Sequence, residues 1–350
     1  MPFFKERFGN AASRHHRMGT DAADAVESAR VQVASLIAAD PREIVWTSGA
    51  TESNNLAIKG VAAAPAYKGR NEIVTVATEH RAVLDPCESL GLKVVRLPVE
   101  RDGSLDLDRL AAAITDRTLL ASVMHANNET GVIHPIRKIG ALCKTRGALF
   151  HTDATQSFGK EPIDVASFGI DLLSASGHKL CGPKGAGFLY VRRRDPHVRC
   201  EPLLHGGGHE RGLSSGTLNV PAIVGLGAAA ALAQKEGPAE QGRIRALRDR
   251  LEKGLASGEV SGRTDRRLAG TSNLSFPGVD SESLMKAMDG LAVSSSSACT
   301  SALLQPSYVL GAMGCDEARI RGSLRFSLGR FTTEGEIDGA ISIVTKALRR

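Results

Sequence analysis

The sequence predicts an α/β protein built on a mostly parallel, doubly wound sheet, and three features carry that prediction. Short apolar runs of strand length, at 72–76, 93–97, 119–124 and 172–175, alternate with segments whose apolar residues recur at helical spacing. Polar clusters directly follow the runs: Thr78-Glu-His80, Asn127-Asn-Glu129, Asp153-Ala-Thr-Gln156 and Ser176-Gly-His-Lys179. In an open α/β sheet ligands sit at the carboxyl ends of the strands, so these clusters stand where the architecture needs them. At 350 residues and 42% hydrophobic, the chain can bury a large core and is expected to form one large domain and a smaller one.

Taken in order, residues 20–39 place Ala25, Val26, Ala29, Val33, Leu36 and Ile37 on one helical face, with Thr20 as N-cap and Asp40-Pro41 as the stop. Glu43 to Thr47 reads as a strand running into Ser48-Gly-Ala-Thr-Glu-Ser-Asn-Asn55, with a helix opening at Glu52 to Asn55. A strand, a glycine turn and a helix start together aim free backbone amides at a phosphate, although an ordinary capped turn has the same pattern and no Walker GKS/T follows. Further strands are expected at 72–76, 93–97, 119–124, 149–151 and 172–175, with helices at 107–114 and 136–145. Lys179 then stands between an apolar run and a glycine-rich loop. An ammonium at a buried strand end is costly unless neutralised, paired or made covalent, and a Schiff base to an aldehyde cofactor achieves the last. A lysine leaving a strand into a turn is equally often just solvated.

Beyond it, His205 and His209 imitate a metal pair, but the glycines at 206–208 argue against the helix that would bring them to one face, so no metal is expected. A helix rich in Ala and Leu runs over 221–253. The polar, glycine-rich stretch 254–270 marks the passage from a large domain, residues 1–254, into a smaller α+β domain, residues 255–350, with a strand at 273–276 and a helix at 281–288. Cys299, surrounded by Ser and Thr, has little reason to pack as core and is a candidate nucleophile. Cys181 lies in a Gly-Pro turn expected to hold it rigid, and Cys143 in a helix expected to bury it.

Composition excludes several classes. The net charge of +6 and pI of about 9.1 come from scattered Lys and Arg, and three Tyr and one Trp give no platform for stacking bases, so nucleic acid is not a partner. No apolar run reaches the ~20 residues of a membrane span. With six cysteines, no CxxC pair and a start without signal-peptide character, the chain is expected to stay in a reducing, cytoplasmic setting.

Together the stretches SGATESNNLAIKG, TEHRAVLD, NNETGV, DATQSFGK, SGHKLCGPKG, HGGGHERGLSSGT, SSSSACTSA and RFSLGRFTTE resemble the cysteine desulfurases of iron-sulfur cluster assembly and nitrogen fixation, class V aminotransferase relatives among the fold-type I pyridoxal-phosphate enzymes. The resemblance covers nearly the whole chain. It implies pyridoxal 5′-phosphate as cofactor, in Schiff-base linkage to Lys179, with His80 stacked on the ring and moving protons. Asp153 would pair with the ring nitrogen and Gln156 with the ring hydroxyl. Ala50, Thr51, Ser176 and His178 would cradle the phosphate, joined by Thr217 from a second subunit of a homodimer. Asn128 and Arg325 would hold L-cysteine, and Cys299 would take its sulfur as a persulfide, releasing alanine, for an acceptor or iron-sulfur scaffold protein. A selenocysteine lyase or other β-eliminating lyase of the same fold, and a non-catalytic homologue that binds a partner, are the alternative readings. The family carries a further N-terminal segment with a Tyr-Leu-Asp-like strand and an Ala-Thr-Thr turn, and some members carry a longer tail, whereas this chain opens at Phe8-Gly-Asn10 of the pattern and stops at Arg350. The expectation is therefore a substrate pocket short of one wall. Ser297 stands where the family often has Gly.

Overall fold

The computed structural model describes residues 2–295 and 306–349. Helices α1 (Pro2–Lys5) and α2 (Arg17–Ser35) come first. The alternation follows as β1 (Ile44–Thr47), α3 (Ala50–Ala63), β2 (Glu72–Val76), α4 (Arg81–Ser89), β3 (Lys93–Leu97), α5 (Leu107–Ala113), β4 (Thr118–Ser122), α6 (Ile136–Arg146), β5 (Leu149–Asp153), β6 (Leu172–Ser176) and β7 (Gly187–Val191). The long α7 (Val220–Gly254) leads into β8 (Glu259–Val260), β9 (Thr271–Ser275), α8 (Ser281–Ala287), β10 (Ser294–Ser295), α9 (Tyr308–Ala312), α10 (Glu317–Arg321), β11 (Ser323–Ser327) and α11 (Glu334–Leu348).

Among the described residues two sheets form. The larger has the order β1-β7-β6-β5-β4-β2-β3, parallel from β6 to β3, with β7 antiparallel to both its neighbours. It is mostly parallel, as expected, but the sequence reading placed no strand at β7, which follows the glycine-rich loop and runs antiparallel. The smaller sheet, β10-β11-β9-β8, is antiparallel throughout.

Side chains alternate across the large sheet and explain why its strands are apolar on both faces. Trp46, Phe150, Leu173, Phe188 and Tyr190 face the layer built on α2, α6 and α7, while Val45, Leu149, Leu172, Leu189 and Val191 face α3 and α4. A separate cluster joins the second half of α7 to the small sheet and α11 through Leu247, Leu251, Leu274, Phe276, Phe326 and Val344.

Several boundaries move for local reasons. The first long helix starts at Arg17, before the Thr20 expected to cap it: His16 is the N-cap, its Nδ1 accepting from the Gly19 N–H at 3.1 Å, and the Thr20 hydroxyl donates to the Arg17 carbonyl inside the first turn. Helix α3 opens at Ala50 instead of Glu52, since Glu52 folds back to accept from both the N–H and the hydroxyl of Ser48 at 2.8 and 2.6 Å. Strand β5 continues to Asp153, which makes that acid the last residue of the strand. No helix among the described residues is long and apolar enough to cross a membrane.

The core also buries imidazoles as neutral rings. His134, beside the isolated bridge Ala126↔Ile133, is pushed down to about 4 by burial and by the nearby charge of Arg266. A histidine with a depressed folded pKa contributes stability above its unfolded value of ~6.5 and loses it as pH falls toward the folded value. The stability gap between the wild type and His134→Gln should therefore narrow between pH 6.5 and 4, measured by denaturant unfolding; a gap independent of pH would show that the ring is not held neutral.

Candidate active site

A cavity of 580 Å³ opens at the carboxyl ends of β1, β2, β4, β5 and β6. Ala50, Thr51, His80, Asn128 and Asp153 line it, as do Gln156, Ser176, His178, Lys179 and Arg325. The structure thus brings together ten of the twelve residues singled out from the sequence. Thr217 is exposed and lies off the cavity of its own chain, and Cys299, with Ser297 and the rest of 296–305, lies outside the described residues.

One end of the cavity is a cradle for an anion. Gly49 is the N-cap of α3, with φ 157° and ψ −179° and no side-chain cap, and the helix start at Ala50 and Thr51 lines the cavity. Backbone amides in a first turn without a side-chain acceptor offer donors to a phosphate, aided by the helix dipole. Ser176, the last residue of β6, adds a hydroxyl that shares a 2.7 Å hydrogen bond with His178 Nδ1. The His178 imidazole is lowered by burial and by the ammonium groups of Lys179 and Lys184.

The opposite wall carries acid and base. Asp153 is buried, and its two oxygens accept from Asn54 Nδ2 at 2.7 Å and from the Thr155 N–H at 2.9 Å, which fixes the carboxyl plane at the cavity wall. His80 caps α4, its Nδ1 accepting from the Ala82 N–H at 3.1 Å. With Nδ1 occupied as an acceptor, the neutral ring carries its proton on Nε2. Glu79, next to it, is wholly buried and accepts from the Met124 N–H at 2.5 Å; burial, with Asp153 nearby, raises its carboxyl well above the usual range.

Lys179 sits in the short turn 177–180 and is exposed toward the cavity instead of buried at the strand end, so the burial cost expected from the sequence does not apply to it. Lys160 is the lysine that burial reaches: desolvation and the charge of Lys179 push it down to about 8. Arg325 enters from β11 of the small sheet. Its Nη1 donates to the Asn128 carbonyl at 3.0 Å and its Nη2 to Ser294 Oγ at 3.3 Å. It lies in register with Asn273 of β9 and Ser294 of β10.

Three contributors escaped the sequence reading. Asn54 orients Asp153 from 99 positions away, and Glu79 was visible only as part of a polar cluster. Glu129 is buried and its carboxyl pushed up to about 7 by desolvation, against the opposing pull of the Ser307 hydroxyl and of Arg325. The thiols divide clearly. Burial pushes Cys87, Cys143 and Cys200 up to about 12, as expected for Cys143. Cys181, expected to be held rigid, does sit in a constrained left-handed backbone (φ 59°), yet its side chain is exposed and shares a smaller cavity of 220 Å³ with Lys179. Among the described residues no cluster of His, Cys, Asp and Glu could hold a metal ion, and His205 and His209 form none.

A lysine amine, a strand-end carboxylate and a helix-start anion cradle around one cavity, on a mostly parallel sheet covered on both faces, define a pyridoxal-phosphate enzyme of fold type I. The donor set fits that cofactor: amides and hydroxyls for the phosphate, Asp153 for a protonated ring nitrogen, Lys179 for the aldehyde carbon. The comparisons agree. Residues 1–339 match the aminotransferase class-V family, and the chain belongs to it. It is 54% identical to a cysteine desulfurase IscS of Anaeromyxobacter sp. (strain Fw109-5), over all of this chain and 88% of that protein, and 55% identical to one of Shewanella baltica (strain OS223), over 97% and 85%. Among solved structures it resembles a NifS-like protein at TM-score 0.92 and 36% identity, over 99% of this chain and 93% of that one. It also resembles SspA in complex with cysteine at TM-score 0.80 and 36% identity, over 95% and 94%.

Two outcomes test the assignments. Lys179→Ala should lose the borohydride-reducible adduct altogether; since Lys184 lines the same cavity, a reduced adduct mapped to Lys184 in the wild type would overturn the assignment. If Asp153 faces the ring nitrogen, Asp153→Ala should lose ~100-fold or more in turnover while retaining much of its pyridoxal phosphate by absorbance, since that role concerns charge developing in the ring and not the phosphate. Equal losses of turnover and occupancy would contradict that role.

Proposed function

We propose that this site takes the sulfur of L-cysteine as a persulfide on Cys299, releases L-alanine, and passes the sulfur to an acceptor protein for iron-sulfur cluster assembly. The chain is a pyridoxal-phosphate-dependent cysteine desulfurase, and the observation that carries the reading is the convergence of Lys179, Asp153, His80 and Arg325 on one cavity. When bound, pyridoxal phosphate supplies an electron sink for the substrate carbon. Arg325 binds the substrate carboxylate with its forked guanidinium, exchanging the weak 3.3 Å contact to Ser294 for a charge-assisted pair, while Asn128 borders the same space. Asp153, held by Asn54, keeps a negative charge beside the ring nitrogen. Lys179 and the Nε2 of His80 are the groups placed to move protons. The Cys299 thiolate attacks the substrate sulfur: an S–S bond forms as the C–S bond breaks, and the carbon fragment keeps the electron pair and takes up a proton to become alanine.

The reading includes a homodimer in the cytoplasm, in which Thr217, exposed and off the cavity of its own chain, reaches the phosphate of the other subunit. It also takes residues 1–254 and 255–350 as its large and small domains. The test is to incubate the enzyme with L-cysteine, alkylate persulfides and map the labelled peptide. The label should fall on Cys299, and Cys299→Ser should still change the cofactor spectrum on adding cysteine while releasing neither sulfide nor persulfide. Exposed beside Lys179, Cys181 is the competing thiol, and a label there would mean that the wrong nucleophile has been chosen.

A further inference from the structure

The chain on either side of residues 296–305 is fastened to the substrate site itself. On the near side, Ser294 pairs in register with Arg325 and accepts from its Nη2, and Arg325 in turn donates to the Asn128 carbonyl. On the far side, the Ser307 hydroxyl donates to Glu129 Oε2 at 2.5 Å, both residues buried, and Glu129 directly follows Asn128. Ser307 also caps α9, its Oγ accepting from the Leu310 N–H at 3.1 Å. The next residue, Tyr308, donates from its hydroxyl to the Glu79 carbonyl at 2.6 Å, beside His80, and its ring lies 4.7 Å below the Arg81 guanidinium. Of these ties, the one from Glu129 to Ser307 is the shortest and is sealed from water.

From this we infer that Glu129 is a positioning residue for sulfur transfer: through Ser307 it fixes where the segment carrying Cys299 leaves the substrate site, and it acts on persulfide formation without contributing to amino-acid binding. The inference rests on Cys299 being the sulfur acceptor. Removing the Glu129 carboxyl leaves the substrate-binding loop in place, because that loop is held by Asn127, whose Oδ1 accepts from the Glu129 and Thr130 N–H groups at 2.8 and 2.9 Å and from the Thr130 hydroxyl at 3.2 Å. The contact between Arg325 and Asn128 is to a backbone carbonyl and also survives. What is lost is the acceptor that holds Ser307. A nucleophile displaced by about 1 Å costs up to ~100-fold in rate.

The experiment uses the holoenzyme and compares Glu129→Ala with Glu129→Gln, which keeps a carbonyl oxygen for Ser307. Two quantities are read: the single-turnover rate of persulfide formation, by alkylation and peptide mapping, and the affinity for L-alanine, by titrating the cofactor absorbance. Glu129→Ala should slow persulfide formation by about tenfold or more, Glu129→Gln by less than about threefold, and both should bind L-alanine within about twofold of the wild type. If Glu129→Ala fails to fold, Ser307→Ala removes the same hydrogen bond from the other end, together with the cap of α9, and should slow persulfide formation at least as much while L-alanine affinity stays within about twofold. An unchanged rate overturns the inference, as does a loss of L-alanine affinity as large as the loss of rate, which would indicate general loosening of the site. Both leave the desulfurase reading intact if the wild-type label maps to Cys299. A wild-type label on another cysteine overturns that reading, and this inference with it.

Discussion

The anion cradle depends on one close approach of backbone to backbone. Gly187 opens β7 and lies in register with Thr47 at the end of β1 on one side and Ser176 at the end of β6 on the other. A Cβ at Gly187 would stand 2.6 Å from the Gly49 Cα and 2.7 Å from the Ala175 carbonyl oxygen, distances that no side chain adopts. Only glycine lets the two strand ends draw in until Gly49, the start of α3 and the Ser176 hydroxyl face a common space. Gly49 contributes by its own backbone, whose φ of 157° turns the chain from β1 into the helix without a Cβ penalty. Any side chain at position 187 would push the cap of α3 away from β6 and open the cradle, whatever the chemistry of the residues lining it.

The polar half of the site rests on a different principle, the separation of carboxyl groups by environment. Three acids lie close to the cavity or in its wall. Asp153 accepts two hydrogen bonds from donors that do not leave it, whereas Glu79 and Glu129 are buried, with carboxyls raised by desolvation. Carboxylates held in one low-dielectric region would repel one another and dilute the charge available to a ring nitrogen. Burial disfavours the charged form of Glu79, whereas Asp153 is held by two donors at the cavity wall. Glu129, with its carboxyl near 7 and its oxygen on Ser307, serves geometry instead.

Most of the fold was legible because its signals are local. The alternation of short apolar runs and helical periodicity located the strands of the large sheet apart from β7, and the site residues of that sheet were legible because each stands at or just beyond the end of its strand, whereas Arg325 and Thr217 were read only through the resemblance. The misreadings have physical causes. The glycine-rich stretch before Gly187 reads as a loop, and it hides that the five residues from Gly187 close the sheet between β1 and β6 as β7. Thr20 was a reasonable cap by type, but the His16 imidazole accepted the hydrogen bond first. Partnerships such as Asn54 with Asp153, or Glu129 with Ser307, join positions 99 and 178 residues apart, and no periodicity announces them. The rigid turn around Cys181 was anticipated from Gly-Pro, but a turn constrains backbone and says nothing about whether its side chain meets solvent.

The two sheets divide the labour along lines their packing imposes. The large sheet is covered by helices on both faces, so the groups that would hold the cofactor are carried on strand ends and helix starts with little freedom to shift. The small sheet has its own hydrophobic cluster with the second half of α7 and α11, and from it Arg325 reaches the cavity. The segment that carries Cys299 leaves the small sheet beside that arginine, at Ser294 and Ser295, and returns to the large sheet at Ser307 and Tyr308, on the loops that bear Asn128 and His80. The described residues on both sides of 296–305 are thus tied to the loops and the arginine that line the cavity, so the two sheets meet at the cavity through Arg325 on one side and Glu129 on the other.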